Sequence, residues 1–363
     1  MKLTRLIPGL GGNASRPPAA GPKKINLALQ GGGAHGAFTW GVIDHILSDE
    51  RLAIDGISGA SAGAMNAVML ADGLVRGGHE EARKRLADFW RGVSRDGNLP
   101  SVQRGVLDRL FSFFPMEGSP FQAWVDAWAH ALSPYDFNPL NINPLKELVE
   151  RFVDFDAIRG DTNLNLFISA TNVQTGRLRV FTRDRISADV VMASACLPLL
   201  FRAVEIDGVP YWDGGYMGNP AIFPFFASTE SEDVLVVQIN PIEHRGVPHS
   251  TREIVNRMNE ITFNSSLLAE FRAIEFVGRL IDQGRLPRGT GPGQYRRINV
   301  HRVALDSNAK FTADTKLNND FDFFFMLHEH GRRAARRFLD AHFDDIGRRS
   351  TIDLRAEVRA EWA

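Results

Sequence analysis

Two short apolar segments near the start of the chain each lead into a glycine-rich turn and then into a helix. The runs Lys24–Gln30 and Leu52–Ile57 are typical of buried strands, and the apolar spacing after them predicts helices over Ala34–Leu47 and Ala62–Leu74. Strands and helices in this order build a parallel α/β sheet covered by helices. Since ligands of such sheets bind beyond the carboxyl ends of the strands, we expect the functional site at the two glycine turns.

The rest of the chain continues this alternation less regularly. We predict further strands over 164–170, 178–182, 209–213, 234–239 and 297–305, and further helices over 79–93, 105–132, 250–283 and 320–343. The nearly continuous apolar run Val234–Ile239 indicates a strand in the middle of the sheet.

Composition limits the class of protein further. The 363 residues are 44% hydrophobic, enough for a substantial core, and their 42 Lys and Arg against 43 Asp and Glu leave no overall charge that attracts nucleic acid or an anionic membrane. No apolar run approaches the roughly 18 residues of a spanning helix. The single cysteine, Cys196, excludes an internal disulfide and fits a reducing compartment. We therefore expect a cytoplasmic protein whose membrane contact is at most peripheral and transient, with no nucleic-acid partner.

Phenylalanine is over-represented, with 25 Phe against 4 Tyr. Three groups stand out, at 111–121, 223–226 and 321–325. The first lies on the predicted helix 105–132, so we expect an aromatic-rich helical cap over the cleft within about residues 95–150. Ordinary core packing explains the same aromatic spacing and stays open as the alternative.

The strongest local motif is Gly59-Ala60-Ser61-Ala62-Gly63, which lies directly between a predicted strand and a predicted helix. A serine at such a turn sits on a sharp reversal of the backbone, and only small neighbours leave room for its hydroxyl to reach the cleft. The amino end of the following helix favours negative charge that develops nearby. This context indicates that Ser61 is a nucleophile.

A second motif, Gly31-Gly32-Gly33-Ala34-His35-Gly36, also lies between a strand and a helix. Three consecutive glycines expose backbone N–H groups to a ligand, which suits an oxyanion hole. The same letters match the dinucleotide pattern G-x-G-x-x-G, with Glu50 about 20 residues further on. Acyl transfer uses both glycine turns for one reaction, whereas dinucleotide binding leaves the Ser61 turn unexplained, so we favour a hydrolase.

The base that would activate Ser61 has two candidates from the residues alone. Asp213 follows an aromatic strand and precedes Gly214 and Gly215, a place where a carboxylate can be aimed into a cleft, although Asp-Gly is also a common turn. Alternatively, one of the later histidines completes a Ser-His-Asp triad of the common α/β-hydrolase type.

Together these motifs resemble the patatin-like phospholipase family of lipid acyl hydrolases. The likeness rests on GGGAHG at 31–36, GASAG at 59–63 and Asp213-Gly214-Gly215, in this order. It extends to Ala193–Pro198, which is similar to the family's small-residue helix before the acidic strand, and to the segment Ala170–Gly176.

The resemblance spans about residues 24–240 and implies a three-layer α/β fold with a mostly parallel central sheet between helices. It implies one catalytic domain over 24–345, with a flexible arm at 1–23 and a tail at 346–363. The expected substrate is a lipid or another acyl ester, cleaved as by a phospholipase A, a lysophospholipase or a carboxylesterase. No cofactor and no metal is implied, and a non-catalytic lipid-binding protein on the same scaffold is the alternative.

By the same resemblance, Ser61 is the nucleophile and Asp213 is its direct partner in a Ser-Asp dyad. Gly31, Gly32 and Gly33 form the oxyanion hole. One departure is His35, where the family usually has Arg or Lys, so the positive charge there depends on pH. His35 is also a candidate second base for Ser61, with a structural role as the alternative. The motif residues that support these roles are His35, Gly36, Gly59, Gly63, Gly214 and Gly215.

Overall fold

The computed structural model describes residues 21–94, 133–137, 141, 143–198, 200–243, 246–249, 251–306 and 320–359. Its strands are β1 (Lys23–Leu29), β2 (Leu52–Gly59), β3 (Asn165–Asn172), β4 (Leu178–Thr182), β5 (Val204–Ile206), β6 (Val209–Asp213), β7 (Asp233–Gln238) and β8 (Asn299–Ala304). Its α-helices are α1 (Gly36–Asp49), α2 (Ala62–Val93), α3 (Pro134–Phe137), α4 (Pro144–Phe152), α5 (Phe155–Gly160), α6 (Ala188–Ser194), α7 (Phe225–Ser228), α8 (Thr251–Asp282), α9 (Phe321–His342) and α10 (Leu354–Glu357).

The strands form one mixed sheet in the order β5-β6-β3-β2-β1-β7-β8, with β4 also paired to β3. Neighbours from β3 through β2, β1 and β7 to β8 run parallel, whereas β4 and β6 are antiparallel to β3, and β5 is antiparallel to β6. This confirms the predicted α/β fold. The predicted strand at Val234–Ile239 forms as β7 and all its residues are buried, but it lies between β1 and the edge strand β8 rather than in the middle of the sheet.

The first two strand–turn–helix units form as predicted. A short 3₁₀ turn, Gly33–His35, leads into α1, and Ser61 directly precedes α2. The predicted helices 62–74 and 79–93 are joined in α2, which is interrupted at Gly78 with a φ of 72°. Both functional turns therefore lie at the carboxyl ends of the neighbouring parallel strands β1 and β2.

Two apolar layers cover the sheet. The larger one packs α1, α2 and α9 against one face, and the smaller one packs α8 and the segment around α7 against the other. Phe225 and Phe324 are fully buried in these layers, whereas Phe223 and Phe325 are about half exposed. The second and third phenylalanine groups thus contribute partly to the core, and the first lies outside the described residues.

Helices α1 and α9 touch through their backbones. A Cβ on Gly41 of α1 would lie 1.9 Å from the carbonyl oxygen of His328, and a Cβ on Gly331 of α9 would lie 2.1 Å from that of Phe38. The rings of Trp40 and His328 pack beside this crossing, with their centroids 4.0 Å apart and their planes tilted by 38°. Only glycine permits such a close approach, and it fixes the first helix of the site on a long second helix.

Two described segments lie at the predicted boundaries of the cap and the tail. Residues 144–152, the end of the predicted insertion, form α4, which packs Leu148 and Val149 into the core. The rest of the insertion lies almost wholly outside the described residues. Residues 346–359 pack on the domain: Thr351 donates its amide to Val300 of β8, and Arg302 pairs with Glu357 of α10.

Candidate active site

Ser61 lies on a strained turn between β2 and α2. Its φ of 53° and ψ of −123° belong to a region that residues other than glycine rarely adopt. The neighbouring glycines are required by contact, since a Cβ on Gly59 would lie 2.5 Å from the Gly63 carbonyl oxygen and one on Gly63 would lie 2.1 Å from that of Leu29. The predicted steric reason for the GASAG motif is therefore visible in the packing.

The turn is held by helix α6. The amide of Ser61 donates a 3.0 Å hydrogen bond to Oγ of Ser194, the last residue of α6, which is fully buried. The Ser61 side chain stands at the amino end of α2, where the helix dipole stabilises developing negative charge. The small-residue segment around Ser194 thus positions the turn directly.

Asp213 ends β6 and is fully buried. Its amide donates to the carbonyl oxygen of Cys196 at 2.8 Å, and its own carbonyl accepts from Oγ1 of Thr171 at 2.8 Å. Oδ1 of its side chain accepts from the amide of Gly215 at 2.7 Å. Both the backbone and one carboxyl oxygen are therefore fixed by neutral groups.

The two glycines after Asp213 are needed because the backbone packs tightly there. A Cβ on Gly214 would lie 2.1 Å from the Ser169 carbonyl oxygen of β3. A Cβ on Gly215 would lie 2.9 Å from Oδ1 of Asp213 itself and 3.2 Å from the ring of Phe263. A side chain at Gly214 would therefore collide with β3, and one at Gly215 would displace the Asp213 carboxyl itself.

Burial raises the pKa of Asp213 from 3.8 to about 7, and the Gly215 amide and the Ser61 hydroxyl oppose that rise. Oδ2 accepts no hydrogen bond of good geometry from the described residues, although the Ser61 hydroxyl is close enough to lower the pKa of the carboxyl. The two side chains therefore face each other without an aligned hydrogen bond, which is common before a substrate binds.

The neighbours of Asp213 show the same low polarity. The pKa values of Tyr216 and Cys196 are both raised to about 12. Burial is the larger cause in each case, and the charge of the nearby Asp213 carboxylate adds to it. Both groups stay protonated near neutral pH. Of these three side chains, only Asp213 can change its charge near neutral pH, as a general base must.

The glycine turn after β1 faces Ser61. A Cβ on Gly31 would lie 2.6 Å from Cβ of Ser61, so the two turns are in direct contact. The Gly31 amide, however, donates to Oδ1 of Asn219 at 2.6 Å and is occupied. The amides of Gly32 and Gly33 donate to no acceptor within the part of the chain that the structure describes. Of the three predicted donors, Gly31 is therefore occupied, Gly32 is buried and Gly33 is exposed.

His35 and Gly36 complete this turn. His35 is buried in the 3₁₀ turn, with its ring 6.5 Å from that of Phe323 on α9. Gly36 begins α1, where a Cβ would lie 2.8 Å from Cβ of Ala62, so this glycine lets α1 and α2 start side by side. The predicted motif residues therefore all lie around one point at the carboxyl edge of the sheet.

Three of the later histidines are bound to other acids. His301 faces Asp233 through Nε2 at 2.9 Å, His328 faces Asp44 at 3.3 Å and His342 faces Asp345 at 3.0 Å. Asp233 begins β7, at the edge of the sheet opposite to the glycine turns. His244 lies outside the described residues.

Sequence reasoning missed a set of buried amide side chains behind the glycine turn. Asn240 donates from Nδ2 to the carbonyl oxygen of Gly31 at 2.7 Å, whereas Asn219 accepts the hydrogen bond from the Gly31 amide. Gln30 accepts the amides of Ile239 and Asn240 at 2.9 and 2.8 Å. No periodicity or motif marks these residues, and only their burial next to the turn distinguishes them.

The fold and these motifs define a patatin-type α/β protein, and comparison with known proteins agrees. The family model described as patatin-like phospholipase matches residues 27–226, and the chain belongs to this family. The family is one of lipid acyl hydrolases. None of the curated proteins matches the sequence.

Solved structures of low similarity include VipD from Legionella pneumophila, at 15% identity over 86% of this chain and 68% of that one, with a TM-score of 0.34. The type III effector ExoU aligns at 14% identity over 89% of this chain and 53% of its own, with a TM-score of 0.31. The ExoU–SpcU complex of Pseudomonas aeruginosa gives 13% identity, 88% and 53% coverage, and a TM-score of 0.32. The chain spans about half the length of the ExoU chains.

Two further properties concern membranes and metals. None of the helices in the described ranges is long and apolar enough to cross a bilayer. Within the same ranges, no group of three or more His, Cys, Asp or Glu side chains is placed to hold a metal ion.

Proposed function

We propose that the chain is a serine lipid acyl hydrolase that works through a Ser61–Asp213 dyad. The observation that carries the proposal is a fully buried carboxyl beside the strained Ser61 turn, with a pKa that burial raises to about 7 and the Ser61 hydroxyl lowers in part. A carboxylate with an ordinary pKa is a weak base, whereas one near 7 accepts a proton at neutral pH. The strained Ser61 turn holds the hydroxyl at the amino end of α2.

The reaction has two steps. In the first, Asp213 takes the proton of Ser61 while Oγ attacks the ester carbonyl, and the alcohol then leaves with the proton from Asp213. The acyl group stays on Ser61. In the second, Asp213 takes a proton from water, which attacks the acyl-enzyme and releases the carboxylic acid, and the proton returns to Oγ. Each tetrahedral oxyanion is stabilised by the amides of Gly32 and Gly33.

The substrate class proposed is a lipid ester, of the phospholipase A or lysophospholipase type, with simple carboxylesters as the broader class. Family membership supports the lipid ester. A panel of p-nitrophenyl esters from acetate to palmitate, with phosphatidylcholine and lysophosphatidylcholine, separates these classes by chain-length preference and by release of free fatty acid.

Four variants test the dyad on the best substrate of that panel. Ser61→Ala and Asp213→Asn should each lower kcat by at least about 10³-fold, because residues that act as one unit fail together. Asp233→Asn, a change at another buried carboxyl, should leave kcat unchanged. If Asp213→Asn turns over normally while His35→Ala is inactive, a histidine is the base and the dyad is wrong. Lipid binding without any hydrolysis would instead indicate a binding protein.

A further inference from the structure

Gly31 is held on both sides by buried amide side chains. Its N–H donates to Oδ1 of Asn219 at 2.6 Å, and its carbonyl oxygen accepts from Nδ2 of Asn240 at 2.7 Å. Asn219 is wholly shielded from solvent and Asn240 almost wholly. Neither side chain takes part in the chemistry proposed above, yet both are bound to the turn that supplies the oxyanion donors.

Each asparagine is itself fixed by other parts of the fold. Asn219 donates from Nδ2 to the carbonyl oxygen of Phe263 on α8 at 3.3 Å, and its amide donates to Oγ of Ser266 at 3.1 Å. The amide of Asn240 donates to Oε1 of Gln30 at 2.8 Å. We call the side chains of Asn219 and Asn240 the two clamps. They connect the glycine turn to α8 and to the loop after β7.

The turn needs such outside support because of its own composition. Three consecutive glycines have no side chains with which to hold a conformation and lose much conformational freedom when ordered. Gly31 must stay glycine, since a Cβ there would lie 2.6 Å from Cβ of Ser61. Oxyanion stabilisation depends on donors that are already oriented before the charge develops. Hydrogen bonds from elsewhere are the remaining way to orient them.

We propose that Asn219 and Asn240 are positioning residues for the oxyanion hole. Asn219 binds the N–H of the Gln30–Gly31 peptide, and Asn240 binds the C=O of the Gly31–Gly32 peptide, which also carries the Gly32 amide. The two side chains thus fix the peptide planes on both sides of Gly31, so that the amides of Gly32 and Gly33 meet the oxyanion. The kinetic part of this proposal rests on the proposed hydrolase function. The structural part, that the two side chains order the turn, does not.

Hydrogen exchange measured by mass spectrometry on the full chain tests the structural part. In Asn219→Ala and in Asn240→Ala, a peptide covering residues 29–35 should exchange at least about tenfold faster than in the wild type. The matched control is Asn26→Ala. Asn26 is equally buried and also makes two side-chain hydrogen bonds, to Ser231 and Asp233, but it lies on β1 away from the turn. Its loss should leave the exchange of this peptide unchanged.

Ester kinetics test the positioning role. Both clamp variants should lose about 10²-fold in kcat with KM nearly unchanged, as expected for a misplaced donor of the transition state. A thionoester develops charge on sulfur, which accepts hydrogen bonds poorly, so the preference for oxygen esters should fall by about tenfold in both variants. A general loss of stability would not alter that preference, and Asn26→Ala should keep it.

The outcomes separate the two proposals. Faster exchange together with a lower ester preference in either variant supports the clamp, so that one variant suffices if the other does not fold. Wild-type exchange rates, or a kcat within about twofold of the wild type, overturn it. If the wild-type protein hydrolyses no ester, the proposed function fails, and exchange still decides whether Asn219 and Asn240 order the turn.

Discussion

Replacing Asp213 by Asn should make the folded protein more stable at about pH 8 while it abolishes hydrolysis. The wild-type carboxyl is fully buried, and its pKa is raised to about 7, mainly by that burial. Above this pH the folded chain carries a buried charge. An asparagine has the same shape, keeps an oxygen for the Gly215 amide and carries no charge at any pH.

The size of the effect follows from the difference between the folded and unfolded pKa values. Because the folded pKa of Asp213 lies above 3.8, its protonated form favours folding, fully so below about pH 4, and this contribution is lost as pH rises to about 7. The difference is about 3 units, and at about 1.4 kcal/mol for each unit the loss approaches 4 kcal/mol as an order of magnitude. We expect the asparagine variant to escape this loss.

Urea denaturation followed by tryptophan fluorescence at several pH values between about 4.5 and 8.5 measures the effect as a difference in the free energy of unfolding. That difference should be small at the acid end and should grow to several kcal/mol in favour of Asp213→Asn at the alkaline end. Ser61→Ala is the control, because it removes activity but keeps the buried carboxyl and its pH dependence. A difference that does not change with pH would refute the reasoning about burial.

Three further predictions concern the same fold. As Asp213 must be ionised to act as a base, kcat/KM should rise with pH and level off above about 7, which a pH–rate profile checks. Ser194→Ala removes the acceptor of the Ser61 amide and should lower kcat, if Ser61 acts as proposed. Ser231→Ala also removes a buried acceptor of an amide, that of Asp233, and should lower only the melting temperature. Gly41→Ala places a Cβ 1.9 Å from a carbonyl oxygen and should destabilise the protein by about 1–3 kcal/mol, while Gly278→Ala in α8 meets nothing and should be neutral or stabilising in thermal denaturation.

Sequence reasoning succeeds here where the determinants are local. The strand–turn–helix units around Gly31–Gly36 and Gly59–Gly63 can be predicted from the sequence. The spacing of apolar residues, the placement of glycine and the order of the elements all indicate the same local structure within a few residues. The boundaries of β1, β2 and α8 differ from the prediction by only one or two residues. The strand that ends in Asp213 is recognised for the same reason, since two glycines directly after a carboxylate mark a place of close backbone contact.

What the sequence does not reveal is decided by distant partners. The resemblance assigns Gly31 to the oxyanion hole, but whether its amide is free depends on Asn219, which lies 188 residues later. Likewise, the Ser61 turn is bound by Ser194, which lies 133 residues later. A hydrogen bond between single side chains over such separations leaves no periodic trace in one sequence. The predicted dinucleotide alternative loses its support from the same geometry, because the first glycine of the pattern is occupied and the turn faces Ser61.

A dyad of this kind restricts what may surround it, and the structure meets that restriction. A cation close to Asp213 would hold the carboxylate ionised but would lower its pKa and weaken it as a base. In the described part of the chain, the groups that shift this pKa are the Gly215 amide and the Ser61 hydroxyl, both neutral, and burial outweighs them. The bonds that fix the backbone of Asp213, to Cys196 and Thr171, are neutral as well. Orientation is thus supplied by neutral backbone contacts, and basicity is supplied by the exclusion of water. The same exclusion of water from Asp213 destabilises the folded state above neutral pH, where the buried carboxylate is charged. The loss of stability and the proposed activity therefore have one physical cause.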